Sequence, residues 1–557
     1  MGALPGLLAP GVADDLAGLR GRPPLAEPYW LPAKPAPHAR FTAQADVLLG
    51  GRFRPAGRWP AQELGFPPAW DADPFDDDNW LSGLHSLEWL IPLVHAHAGD
   101  PRRGYLEACA RAIEDWVVHN PFRGAPSRYS WHDHAAAKRL RLFAWFWEQY
   151  RGSESFDPGF ARVLVASVYQ HARYHLDERN YRPDSNHGLE AIGSLLAAAI
   201  TFSAFREASD WEQVARTRLV QWLADNLSPE GFHLEQSPSY HWFVLLRLAA
   251  IDRFLTVNGH PDPGLAEAVA RAARAWPWLV HPDGCVPTIG DGSAQVPADW
   301  RRVLARRWGR PVPDADEQRG MMVSPRAGYA VFRSGESRGA LHVVFRCRWF
   351  VSPHCHYDGL SFVLHARGRL WLGDPGFLNY HEWDPRRQYL RSPRAHSLVI
   401  IGAGDWRGAP SECMEWAQSE HGGYVVSYHD LPCGRHARRM EVRFPDTVVV
   451  QDRIEAGTRR PRPWCQLFQV APGLAARIVS PREAHLVAGD GSRCVIMQSR
   501  EGRWEVVTGE MRPILQGWHS PGYGEWKPGT TLIFQVPPGQ PEMETVLKVP
   551  PPVGTRD

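Results

Sequence analysis

Arg310-Pro-Val-Pro-Asp-Ala-Asp-Glu317 divides this chain into two kinds of sequence. Its prolines withhold backbone donors and its carboxylates keep it solvated, so it reads as a linker. Upstream, from about 80 to 285, apolar residues recur at helical spacing. Amphipathic helices are expected at about 82–97, 104–119, 134–151, 158–176, 187–203, 210–227, 239–257 and 265–278. Turn signals such as Ala98-Gly-Asp-Pro101 and Asp157-Pro-Gly159 separate them. Paired helices on short connections close into an (α/α) toroid, and the lack of a regular repeat argues against a strict solenoid. Downstream the period falls to two, as in Leu341-His-Val-Val-Phe-Arg346, Leu360-Ser-Phe-Val-Leu-His365 and Thr447-Val-Val-Val-Gln451, with Gly and Pro between. That pattern predicts a large antiparallel β-sandwich. The expected fold is multidomain α+β. A Pro/Gly/Ala-rich N-terminal segment (1–75) packs on an (α/α) toroid (76–312), which an antiparallel β-sandwich (313–557) follows.

The 557 residues exceed one ordinary core. Lys+Arg (62) balances Asp+Glu (61), so no basic field argues for nucleic acid, and a polyanion would need a local basic cleft. The 25 tryptophans are mostly packing, with some indole faces suited to stacking on sugar rings. Eight cysteines are scattered without a Cys-x-x-Cys pair, which removes zinc ribbons and thioredoxin-type motifs and leaves disulfides in the β-rich half open. No apolar stretch is long enough to span a bilayer, so no membrane partner is expected. The start, Met1-Gly-Ala-Leu-Pro-Gly-Leu-Leu-Ala-Pro10, lacks the basic residues and long apolar run of a signal peptide. The location is then cytoplasmic, or periplasmic or secreted after loss of a leader.

Chemistry concentrates in a few places. Ser352-Pro-His354-Cys-His356-Tyr-Asp358 carries a His-x-His pair, which on a strand would put both imidazoles on one face. Asp374 and His396 follow at long intervals, and together this set suits a divalent metal, with one histidine left for chemistry. Arg182-Pro-Asp-Ser-Asn186-His187-Gly-Leu-Glu190 stands at a helix entrance, where a cap with a helix-face histidine accounts for it as well as an anion site does. Glu235-Gln-Ser-Pro-Ser-Tyr240-His241 sits at another such boundary. Ser130-Trp-His-Asp-His134 with Arg139 could bind a sugar carboxylate or simply open a helix. Arg346, Arg348, Arg386, Arg387, Arg391 and Arg394 offer forks for carboxylates or sulfates, although Glu382 and Asp384 beside them equally fit a mixed-charge loop.

These motifs in this order resemble the heparinase II/III-like polysaccharide lyases over most of the chain. The carriers are Asn186-His-Gly-Leu-Glu190, Glu235-Gln-Ser-Pro-Ser-Tyr240-His241, His354-Cys-His356-Tyr-Asp358-Gly-Leu-Ser-Phe362, Gly373-Asp374-Pro-Gly376 and Ala395-His396-Ser397. The resemblance implies a toroid and a sandwich, and β-elimination on a uronic-acid polysaccharide. By position it makes Tyr240 the general acid and often the base, and His354 the base for one uronate epimer. Asn186 and His187 would neutralise the uronate carboxylate, and Glu190 matches a glutamate found in some members only; Glu190, His241, Arg139 and Arg394 are the candidate further substrate contacts. His356, Asp374 and His396 match the ligands of a structural divalent ion, zinc first, with calcium or manganese as alternatives. The family's usual Asn after the last histidine is Ser397 here.

The expected function is cleavage of glycosaminoglycans of the heparan sulfate, hyaluronan or chondroitin type to unsaturated oligosaccharides. The expected partner is thus an acidic polysaccharide or oligosaccharide, met by a monomer or homodimer. Alginate or a bacterial polyuronate is the alternative within the same chemistry. A glycoside hydrolase needs two facing carboxylates, for which Asp133, Glu190 and Glu235 are the candidates. A non-catalytic carbohydrate-binding protein is the remaining reading. Use of Tyr240 as a base requires its pKa to be depressed from about 10 by a neighbouring charge.

Overall fold

Side-chain caps fix where several helices begin. Asp77 accepts from the backbone N–H groups of Asn79 and Trp80 to open helix Asp78–Ser86. Asp157 accepts from Phe160 at 2.7 Å to open Pro158–Leu176, whose proline needs no donor in the first turn. Each such cap stabilises by about 1 kcal/mol. The computed structural model describes residues 16–29, 38–54, 59–293, 297–313, 318–402, 404, 406–432, 434–456 and 462–550. The extreme N-terminal decapeptide, residues 314–317 of the linker and Cys433 lie outside these.

Helices Leu16–Arg20, His38–Leu49, Trp300–Trp308 and Pro385–Arg391 lie outside the segments expected from periodicity, and seven others are Tyr105–His119, Asp133–Tyr150, Pro158–Leu176, Asn186–Thr201, Ala208–Asn226, Pro238–Val257 and Pro263–Ala275. These seven fall on the segments that periodicity predicts. The single helix expected over 82–97 is broken. Leu87 takes a left-handed φ of 58°, a 3₁₀ turn follows, and Pro92 helps to start a new helix, Ile91–Gly99.

The chain divides into two compact units. One holds Met1–Asp225, Leu246–Glu267 and Val303–Arg310; the other holds Asn226–Leu245, Ala268–Arg302 and Pro311–Asp557. In the first, Trp80, Trp116, Trp147, Trp211 and Trp222 are fully buried core. The second contains two large antiparallel sheets, of eight and nine strands among the described residues, and a short two-stranded one. Phe332, Val343, Phe345 and Leu364 from the nine-stranded sheet share one apolar core with Val425, Met440, Val448, Ile496 and Leu547 from the eight-stranded sheet. This is the sandwich that alternation predicts.

The pairing in the nine-stranded sheet positions the chemistry. Strands His342–Phe345 and Phe362–Ala366 pair with Phe345 opposite Phe362, so residues 346–361 form a long loop at their end. Asp374 follows strand Arg369–Leu372, and His396 precedes strand Val399–Ile401. From the eight-stranded sheet, the buried Arg438 binds Asp452 through Nε (2.7 Å) and Nη2 (2.9 Å). Its Nη1 donates to the carbonyls of Leu360 (2.7 Å) and Ser397 (3.2 Å), one in each histidine-bearing segment.

Burial also holds several histidines neutral. His175, His241 and His429 are pushed down from 6.5 to about 4 by loss of solvation. The unfolded chain binds protons at these rings below pH 6.5 while the folded chain does not. Their stabilisation is therefore complete above pH 6.5 and is lost as pH falls towards 4, at about 1.4 kcal/mol per pH unit per ring. Urea midpoints are expected to drop steadily from pH 7 to 5. A flat midpoint over that range would count against neutral burial.

Candidate active site and metal centre

The 346–361 loop is held from beneath. Arg346 is fully buried, 3.3 Å from Asp358 and hydrogen-bonded to Gln236. Trp349 Nε1 donates to the His356 carbonyl at 2.5 Å. His354 and Leu360 have φ of 65° and 67°, a left-handed backbone that bulky residues adopt only under constraint. The His-x-His pair therefore lies on a constrained loop and not on a strand, and face alternation is not what brings its rings together.

Tyr240 stands in the first turn of helix Pro238–Val257. Just ahead of it, Gln236 has φ 58° and donates to the Phe350 carbonyl (2.5 Å) and to Ser352 Oγ (2.9 Å). Those bonds tie the helix start to the histidine loop. The Tyr240 ring stacks on His354, with centroids 3.6 Å apart and planes 16° from parallel. Its hydroxyl shares a 2.6 Å hydrogen bond with the Tyr380 hydroxyl. Burial pushes the Tyr240 phenol well above 10, and Tyr380 and Asp291 push the same way. The depressed pKa that a phenolate base requires is not what these surroundings favour. They keep a proton on Tyr240 for donation.

Asp291 was not anticipated from sequence. It is 2 % exposed, in the turn Gly290-Asp-Gly292. His354 Nδ1 lies 3.0 Å from its Oδ2 and His356 Nε2 lies 3.1 Å from its Oδ1. Arg387 binds both oxygens, with Nη2 at 3.0 Å from Oδ2. Burial raises the Asp291 carboxyl, but the hydrogen bonds from His354, His356 and Arg387 outweigh it and hold it well below the usual range. The signal in the sequence is a lone carboxylate between two glycines.

His356, Asp374 and His396 each present one ligand atom, all within 4.8 Å of one another. His356 Nδ1 is buried without a hydrogen-bond partner, which is the state expected of a ligand nitrogen. His396 Nδ1 lies 2.7 Å from Asp374 Oδ2. Two imidazoles and a carboxylate are the donor set of a divalent transition ion, so these residues fit one.

The first unit holds a second cluster. Asp133 Oδ1 lies 2.9 Å from His132 Nδ1 and 3.3 Å from His187 Nδ1. His134 stacks on His187 at 4.2 Å. Asn186 begins its helix and is buried, while the His187 side chain keeps 32 % exposure. Gly188 admits no substitute, since a Cβ would stand 2.2 Å from the Arg182 carbonyl.

Three residues expected against substrate are placed elsewhere. Glu190 is buried, its carboxylate shared between Arg141 (2.6 Å) and Arg247. Arg139 is fully buried and donates to His171 (3.1 Å) and to the His85 and Ser130 carbonyls (2.5 Å each). His241 is buried with both nitrogens used, by the Ala272 carbonyl (3.0 Å) and the His233 amide (3.2 Å). Their polar atoms are satisfied inside the protein, which corrects the expectation of substrate contact. Arg394 lines a different hollow, of about 560 Å³, with Tyr389, Trp406 and Arg407. Arg386 and Arg391 pair with Asp384 (2.7 Å) and Glu382 (2.6 Å), as a mixed-charge loop requires.

Known proteins share this frame. Residues 38–319 match the heparinase II/III N-terminus and residues 317–548 the heparinase II/III-like C-terminal region. A heparin-sulfate lyase of Pedobacter heparinus is 25% identical over 387 residues, 64% of this chain and 57% of that protein. One from Bacteroides thetaiotaomicron is 19% identical, over 62% of this chain and 55% of that protein. The matches thus span little more than half of those relatives' length. A crystal structure of heparinase III superposes with a TM-score of 0.82 at 15% identity, covering 96% of this chain and 89% of that one. A mutant heparan sulfate lyase from Pedobacter heparinus gives 0.72 at 18% identity, covering 96% and 88%. These likenesses establish the toroid and β-sandwich fold, and the match over both regions establishes that the chain belongs to the heparinase II/III family.

Proposed function

We propose that this chain is a polysaccharide lyase that cleaves uronic-acid-containing glycosaminoglycans, heparan sulfate first, by β-elimination. The observation that carries the reading is the stacked Tyr240–His354 pair, an acid and a base 3.6 Å apart. The heparin-sulfate lyases among the relatives support the same substrate class.

Elimination removes the C5 proton of a uronate and expels the oxygen on C4. His354 takes the C5 proton. The C–H electron pair becomes the C4=C5 double bond, and the C4–O4 pair leaves with oxygen. Tyr240 protonates that oxygen as it departs. The reaction leaves an imidazolium stacked on a phenolate, and a proton returns from ring to hydroxyl before the next turnover. Within the first unit, Asn186 and His187 offer an amide and an imidazole at the positive end of a helix, a donor pair of the kind that suits a carboxylate.

His356, Asp374 and His396 would hold the divalent ion. An ion bound there would tie the 346–361 loop to the segments that follow strand Arg369–Leu372 and precede strand Val399–Ile401, a structural role, since elimination consumes no water for it to activate. Metal analysis is expected to find about one zinc per chain, lost in His396→Ala together with a lower melting temperature. Equal melting of wild type with and without a strong chelator, and no metal, would remove the assignment.

Ultraviolet absorbance of protein incubated with heparan sulfate, heparin, hyaluronan, chondroitin sulfates, dermatan sulfate and alginate tests the function. A rise with heparan sulfate supports the reading. A rise with alginate alone moves the substrate to a polyuronate. New reducing ends without absorbance would make it a hydrolase, although the ion-paired Glu190 is then a poor candidate.

A further inference from the structure

We infer that Asp291 is a positioning residue that sets the tautomers of His354 and His356 at once, in opposite senses. The inference rests on the proposed role of His354 as base.

The turn that carries Asp291 is pressed against the histidine loop. Its backbone N–H donates to the His354 carbonyl at 3.0 Å. Gly290 has φ 63°, and a Cβ there would stand 2.6 Å from the same carbonyl. Backbone and side chain of Asp291 therefore reach the same residue. The Arg387 fork on both oxygens favours an ionised carboxylate, which can only accept hydrogen bonds.

The tautomers follow from that. Oδ2 lies 3.0 Å from His354 Nδ1, so Nδ1 carries the proton. A neutral imidazole has one N–H, so His354 Nε2 keeps its lone pair and is the base nitrogen. The next carboxylate, Glu235, is 3.9 Å from Nε2, beyond hydrogen-bond range. Oδ1 lies 3.1 Å from His356 Nε2, so that nitrogen carries the proton and Nδ1 keeps the lone pair. Nδ1 is the buried atom without a partner, in the residue grouped with Asp374 and His396. One carboxylate thus frees the outer nitrogen of one ring for a substrate proton and the opposite nitrogen of the other ring for a metal ion. An ordinary structural ion pair would not need both oxygens aimed at different rings.

Asp291→Asn keeps the shape but supplies one accepting oxygen and an NH₂ group, so it can hold only one ring correctly. The expected result is a fall in kcat of about 100-fold with KM within about threefold, and metal retention weakened by about 10- to 100-fold in chelator competition. Should the Asp291→Asn variant fail to fold, wild-type protein labelled with ¹⁵N-histidine supplies the second measurement. Two-bond ¹H–¹⁵N spectra, assigned with His354→Gln and His356→Gln, are expected to show Nδ1–H on His354 and Nε2–H on His356. The opposite tautomer on either ring, or kcat of Asp291→Asn within threefold of wild type, overturns the assignment. Wild-type protein that yields no unsaturated product overturns the lyase reading instead, and the spectra then decide the role of Asp291 alone.

Discussion

Tyr240→Phe is expected to lower kcat for elimination by about 10³-fold while leaving the fold intact. The change removes one oxygen from a half-buried ring. The ring keeps its stack on His354, so the base stays in place and only proton donation is lost. General acid catalysis contributes about 10²- to 10⁴-fold, and a desolvated phenol that holds its proton firmly is suited to that half of the reaction. Tyr380 loses its 2.6 Å partner but retains part-exposed surroundings where water can replace it. KM should change little, because the hydroxyl acts on an oxygen that leaves. The measurement is the initial rate of absorbance increase on heparan sulfate. A variant within tenfold of wild type would remove Tyr240 from the acid role.

Glu190→Ala is expected to destabilise the fold by about 3–5 kcal/mol, because it strands buried cations. Arg141 and Glu190 have side chains 1% exposed, and Arg247 closes the other side of the carboxylate. Burial pushes the Glu190 carboxyl up, but Arg247 and Arg141 outweigh it and hold it at about 2. Its contribution is therefore present above the ordinary 4.5 and lost as pH falls towards 2. Urea unfolding at pH 7 measures the loss. The comparison that decides its role is Glu190→Gln. A substrate contact would raise KM with normal stability, whereas an internal tie lowers the urea midpoint and leaves KM of the folded fraction alone.

The fold was legible where burial imposes a period. The helices around Leu140, Leu164 and Leu195 and the strands around Val343 and Leu364 all bury an apolar face, and their segments stand out in the sequence. The strands Ser411–Ser419, Gly422–Leu431 and Gly434–Arg443 did not, because Glu412, Glu415, Arg435 and Arg439 give them a loop-like composition. Residue types in the site were legible, and their geometry was not. His354 and His356 share a partner because a distant turn brings Asp291 to both, a relation that no local spacing encodes. Glu190, Arg139 and His241 have ligand chemistry in sequence, but whether a charged side chain faces solvent or a buried counter-charge is decided by tertiary packing.

Arg438 gives the eight-stranded sheet a say in matters that look local to the other. A single guanidinium clasps the carbonyls of Leu360 and Ser397 while bound to Asp452. Neither histidine segment can swing outward without leaving a desolvated cation short of acceptors, so their placement is a collective property of the whole sandwich. At the loop's crest only Val351 is exposed, whereas Ser352 beside it still takes part in the tie to Gln236.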